Sequence, residues 1–184
     1  MAIKISDSRS FKLEPMKKNR FIFQFTNVPG NTSGKEEVLA LVCHTSTVPS
    51  ITFGDVSFKR IHETFNVAGA PTWNTLSSSF FDYIRQNAGD SAGDIMYNWA
   101  SIIYNPLTGQ QGYKTQYATA GTLAQLDPPG NIIRAWNMFS IFPSNVTFGE
   151  SVSYDDDTIL EIGATFKYDI AIKATDASVS GKSA

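Results

Sequence analysis

The hydrophobic pattern of this 184-residue chain predicts a mainly β domain, closed or nearly closed, with one flanking α-helix and extended loops or arms. Three observations carry that prediction. From Thr158 to Ile172 apolar residues (Leu160, Ile162, Ala164, Phe166, Tyr168, Ile170, Ile172) alternate with Glu161, Gly163, Thr165, Lys167 and Asp169, the period-2 signature of a strand with one apolar and one polar face. At roughly 3.3 Å per residue that strand runs about 45 Å, long for a small domain. Shorter alternating runs recur along the chain between segments of turn chemistry, and a single stretch has a sustained helical period.

Taken in order, residues 1–19 mix Lys, Ser and Asp without a period and read as an N-terminal arm. The domain is expected over 20–173. Phe21, Phe23 and Phe25 alternate with Ile22, Gln24 and Thr26, and Val28-Pro-Gly-Asn-Thr-Ser-Gly34 then supplies a turn before Val38 to His44, which predicts a hairpin. After Pro49 a long strand is expected from Val56 to Val67. Its apolar parity shifts from Val56 and Phe58 to Ile61, Phe65 and Val67, which predicts a bulge or sharp twist near Lys59 and Arg60. Gly69-Ala-Pro71 is read as a break. A strand follows from Trp73 to Tyr83, with Leu76 and Phe80 on one face and Trp73 and Phe81 on the other.

The helix is placed at about 91–104. Ile95, Met96, Trp99, Ile102 and Ile103 share a face, Ser91 with Asp94 makes a cap, and Pro106 follows the end. Further strands are expected at Thr122 to Leu126, Ile132 to Ile141 and Val146 to Tyr154, with Asp155-Asp-Asp157 turning into the long final strand. Residues 174–184 are small and polar and read as a flexible C-terminal end.

Composition narrows the function. Fifteen Lys and Arg against seventeen Asp and Glu leave no overall basic field to hold nucleic acid by neutralising phosphates. A single cysteine, Cys43, forbids an internal disulfide, and the polar start lacks the apolar core of a secretory signal, so a reducing cytoplasm is the expected place of folding. No apolar run approaches the roughly 20 residues of a membrane span, so no membrane anchor is expected.

Candidate chemistry is sparse. Cys43 beside His44 suggests a thiol and its base, yet neighbours on a strand point to opposite faces, and a free cysteine is most often a small buried hydrophobe. His62 and Glu63 fail in the same way. Two separated histidines do not make a zinc site, and Asp155 to Asp157 lack the loop of a calcium site and suit a solvated turn. Asn145-Val-Thr147 matches a glycosylation acceptor by accident in a cytoplasmic chain. Phosphate-binding loops and nucleophile elbows are missing from the sequence. Neither an enzyme nor a cofactor is expected.

The order of three further segments resembles the tail tube proteins of contractile-tailed bacteriophages, within the phage tail tube and type VI secretion tube superfamily. One is Val42-Cys-His-Thr-Ser-Thr-Val-Pro49 with the long strand to Phe65-Asn-Val-Ala-Gly69. Another is the helix with Trp99, a loop with Tyr113 and Tyr117, then Leu126-Asp127 and Trp136. The last is Phe142-Pro143, Val152-Ser-Tyr-Asp155 and the strand to Tyr168. The match runs from about Arg20 to Ile172. The basic arm (Lys12, Lys17, Lys18, Arg20), the loop from Asn105 to Ala120 and the polar C-terminal end depart from the compact family pattern.

The resemblance implies a small β-barrel or sandwich of two packed antiparallel sheets with one flanking α-helix, serving as a non-enzymatic subunit of a virion tail. Six copies close into a ring, and rings stack into a hollow tube inside the contractile sheath. The tube encloses the tape measure protein and later conducts DNA into the host; baseplate and terminator proteins meet its ends, and assembly takes place in the host bacterial cytoplasm. A terminator, a tube-initiating baseplate ring, or the tube of a phage-like or type VI injection machine is the alternative. A soluble β-barrel ligand-binding module is the more distant one. On this reading Thr45 to Arg60 is the contact with an adjacent ring or subunit, through Arg60 and through Val48, Pro49, Ile51, Phe53 and Phe58, which are too apolar for a solvent loop. Glu161, Thr165, Lys167 and Asp169 are the candidates to face the lumen.

Overall fold

The structure, a computed structural model, describes residues 16–84, 91–149, 152–155 and 157–174. Most of the N-terminal arm and all but the first residue of the C-terminal end lie outside those residues. Nine strands are described: β1 (Phe21–Phe25), β2 (Cys43–Ser46), β3 (Ile51–Arg60), β4 (Glu63–Trp73), β5 (Leu76–Phe81), β6 (Thr119–Leu126), β7 (Ile132–Thr147), β8 (Glu161–Lys167) and β9 (Ile170–Ala174). They alternate with α1 (Lys35–Val42), α2 (Ala92–Ile103) and the single turn α3 (Lys114–Tyr117). The mainly β, antiparallel architecture is as expected.

β7 organises the domain. Its first half lies between β6 and β9, and β6 pairs in turn with β1, making one sheet; its second half pairs with β8, then β5, then β2, making the other. The two sheets therefore share a strand that bends from one into the other. The bend falls at Ser140, whose φ of 56° is left-handed. Opposite it, the long final strand predicted from Thr158 to Ile172 is broken at Tyr168 and Asp169 into β8 and β9, both still running along β7. The break also reverses the expected faces: Ala171 is buried, while Ile170 and Ile172 are exposed. A ribbon that turns a corner between two sheets cannot keep one alternation throughout.

Between the sheets sits an aromatic core. The Phe166 ring lies 5.8 Å from Phe23, 5.3 Å from Phe25, 6.4 Å from Phe80 and 5.8 Å from Trp99. Trp99 arrives on α2, packed by Ile95 and Met96, and its indole Nε1 donates to the Tyr117 carbonyl at 2.7 Å. A buried indole thus keeps its polar end satisfied. Ser91 caps α2, accepting from the Asp94 N–H at 3.1 Å, as the spacing predicted.

Other expectations are corrected. Val38 to His44 is not the second arm of a hairpin, because Lys35–Val42 is helical and buries Leu39 and Val42, three residues apart on one face. The parity change after Val56 is a turn at Ile61 and His62 between β3 and β4, and the bulge lies instead between Phe53 and Asp55, opposite Gly69 and Ala70. Gly69-Ala-Pro71 lies within β4, and the strand expected to begin at Trp73 begins at Leu76. The separate strand expected from Val146 to Tyr154 does not begin there: β7 continues through Pro143 to Thr147, and the described residues 148, 149 and 152–154 belong to no strand.

Candidate assembly surface

β3 and β4 pair with each other and with no other described strand. They nevertheless continue β2 and β5. Thr47 N–H donates to the Ser77 carbonyl at 2.9 Å and Asn74 N–H to the Ser50 carbonyl at 3.0 Å, after which Ile51 opposes Trp73. The Asn74 side chain locks this junction, donating to Ser50 Oγ and Thr52 Oγ1 at 3.0 Å each. One antiparallel ribbon therefore starts in the second sheet, leaves its edge and ends at the Ile61-His62 tip. Ile61 has a φ of 57°, a strained position for a β-branched side chain.

Along the projecting part the apolar side changes. Ile51 and Phe53, opposite Trp73 and Pro71, share one face of the ribbon, whereas Val56 and Phe58, opposite Val67 and Phe65, share the other. Gly54 and Gly69 mark the crossover, where a Cβ on Gly69 would come within 3.1 Å of the Gly54 backbone. Two-stranded ribbons twist strongly, and a change of side part-way lets the apolar stripe follow one surface instead of spiralling around it. Phe58 stacks on Phe65 with ring centroids 5.6 Å apart. Every residue of β3 is exposed.

Of the residues singled out for contact, Val48, Ile51, Phe53, Phe58 and Arg60 are exposed and Pro49 is buried. Phe65, Val67 and the tip Ile61 belong to the same exposed set and were not singled out. Their signal was present in the sequence as the odd-numbered half of the parity change.

The outer face of the second sheet holds three of the four lumen candidates. Ser77 opposes Thr165, which opposes Asn145; Ser79 opposes Gly163, which opposes Thr147; Thr45 completes the face next to Ser79. Glu161 and Lys167 stand at the two ends of β8. The face is thus small, polar and uncharged through its middle. Glu161 Oε2 lies 3.3 Å from His44 Nε2, and the His44 ring stacks on Phe81 at 3.9 Å. This cluster joins residues far apart in sequence and was not foreseen.

Asp169, the fourth candidate, lies beyond the break in the ribbon. Lys114 Nζ donates to its carboxylate at 2.5 and 2.7 Å, and the Asp169 N–H donates to the Phe139 carbonyl at 3.0 Å. The Lys114 hydrogen bonds, helped by the Ser140 hydroxyl, hold its carboxyl below the usual carboxylate range. Asp169 therefore clamps the bend. Tyr168 beside it packs on Trp73 at the root of the hairpin, ring centroids 5.9 Å apart. Burial pushes the Tyr168 phenol up, while the Ser50 N–H approaches its oxygen short of full hydrogen-bond geometry.

Nothing in the geometry activates the thiol. Burial pushes Cys43 up to about 12, the opposite of what a nucleophilic thiolate needs, and His44 is turned away onto Phe81. Among the described residues no cluster of three His, Cys, Asp or Glu is placed to hold a metal.

No protein-family model matches the chain, and no curated protein matches it in sequence. Solved structures do share its fold. A chain of the sheath–tube complex of PVC, an extracellular contractile injection system, aligns with a TM-score of 0.63 at 14% identity, covering 94% of this chain and 99% of that one. The tube-terminating cap of the anti-feeding prophage aligns with a TM-score of 0.65 at 18% identity, covering 89% and 93%. The chain has the fold of contractile-injection-system tube and terminator proteins. A chain of the anti-feeding prophage baseplate also shares this tube fold, with a TM-score of 0.61 at 11% identity over 88% of this chain and 97% of that one. At such identities it is the tube fold that is held in common, and residue roles have to come from this chain's own geometry.

Proposed function

We propose that the chain is a structural subunit of the tube of a contractile phage tail or phage-like injection machine. The observation that carries this reading is the hairpin β3–β4: an apolar ribbon, projecting from its sheet, whose aromatic and aliphatic side chains its own domain leaves exposed. An isolated two-stranded ribbon is marginal in water, and a contiguous exposed apolar surface of this kind marks a protein interface. Six copies close into a ring, as in the tail tubes the sequence resembles, and the hairpin reaches the adjacent ring, so that the lateral contact closes and the axial contact repeats. The sheath lies outside; the baseplate and terminator meet the tube ends.

The outer face of the second sheet is the lumen wall. Its middle, with Thr45, Ser77, Ser79, Asn145, Thr147 and Thr165, offers hydrogen-bonding groups without a strong charge, a lining along which the tape measure protein and then DNA slide without being gripped. The tube belongs to the virion tail and assembles in the host cytoplasm. Sedimentation velocity on the purified chain tests the subunit reading: species at and above six times the monomer mass are expected, and a monomer at all concentrations would refute it. Rings that close without stacking would move the chain to the terminator or baseplate position.

A further inference from the structure

The register of the ribbon fixes which end of the subunit meets the hairpin. β2 and β5 run from Cys43 opposite Phe80, through Ser46 opposite Ser78, to the root of the hairpin and out to the tip. His44, Phe81 and Glu161 therefore stand at the end of the second sheet opposite to the one the hairpin leaves. In a stack made by repeating one subunit along the ribbon direction, a projecting tip must land on the far end of the next copy, because an open heterologous contact joins two different patches of the same chain.

We infer that the hairpin tip of one copy, Arg60 to Glu63, docks on the His44–Phe81–Tyr83–Glu161 cluster of a copy in the adjacent ring. This rests on the tube reading and adds its socket. The chemistry of the two ends matches. Phe81 and Tyr83, rings 6.5 Å apart and edge to face, offer an aromatic floor to Ile61, which is 88% exposed at the tip. Tyr83 is itself exposed. Glu161 is an anion within reach of an incoming Arg60.

Charge reversal tests the contact. Arg60→Glu alone and Glu161→Arg alone are expected to give rings that no longer stack into rods, and the double variant, which restores opposite charges across every contact, is expected to give rods again. Rods from both single variants as abundant as wild type, or no recovery in the double variant, would overturn the socket. A crosslink guards against a misfolded variant: with Cys43 replaced by Ala, Ile61→Cys together with Tyr83→Cys should give a ladder of disulfide-linked subunits on oxidation, and neither substitution alone should. Rods from that double-cysteine chain without a ladder would also overturn the socket. If the wild-type chain forms neither rings nor rods, the tube reading itself fails instead.

Discussion

Phe58 and Phe65 stack across the hairpin with ring centroids 5.6 Å apart and 21° between their planes, yet remain 51% and 43% exposed. Such a cross-strand pair contributes about 0.2–1 kcal/mol to its own ribbon, far less than two aromatic side chains gain by burial. Their main value lies in what covers them. Replacing both with Ser is expected to lower the subunit's melting temperature only slightly and to abolish stacking, read by thermal melting beside sedimentation.

Phe166 should behave in the opposite manner. It is fully buried and touches four other rings from both sheets and α2, so Phe166→Ala is expected to cost about 3–5 kcal/mol of folding stability. Chemical denaturation in the unstacked background carrying Phe58→Ser and Phe65→Ser measures that cost without the contribution of assembly.

The Lys114–Asp169 clamp gives a pH signature. Its hydrogen bonds lower the Asp169 pKa, so the clamp's stabilisation is present above the ordinary carboxylate value of about 3.9 and is lost as the pH falls through the lower folded-state value. Both side chains are about half exposed, which keeps the effect small and sensitive to salt. Asp169→Asn should melt slightly below wild type at neutral pH, with the gap closing in strong acid and narrowing in high salt. An unchanged gap at low pH would remove Asp169 from this role.

For the lumen wall, Thr165→Lys with Ser79→Lys adds two charges per subunit to the uncharged middle of the second sheet, where neither side chain packs in the core. Tubes are expected to assemble normally and DNA ejection from intact particles to slow. Ejection at the wild-type rate would place that face away from the channel.

Local signals explain what the sequence disclosed. α2 was legible because its apolar period, its Ser91 cap and the following Pro106 agree. α1 was missed because it is short, begins at Gly34 without a side-chain cap and carries β-branched Val38 and Val42, which resemble a strand. The Ile61-His62 turn was missed because it has none of the Gly, Asn or Asp that normally mark a two-residue hairpin. The corner at Ser140 and Asp169 is set by Lys114 from a distant element, and no period reports that. At the candidate surface, exposed apolar residues of the hairpin could be picked out as too greasy for a loop. The pairing of His44 with Phe81 and Glu161 exists only once β2, β5 and β8 are side by side.

Electron microscopy of the purified wild-type chain beside its Phe58→Ser, Phe65→Ser variant tests the central claim most directly. The account predicts hollow rods built of six-fold rings for the wild type, and separate rings for the variant. A wild-type chain that stays a dispersed monomer, or a variant that forms the same rods, would contradict it.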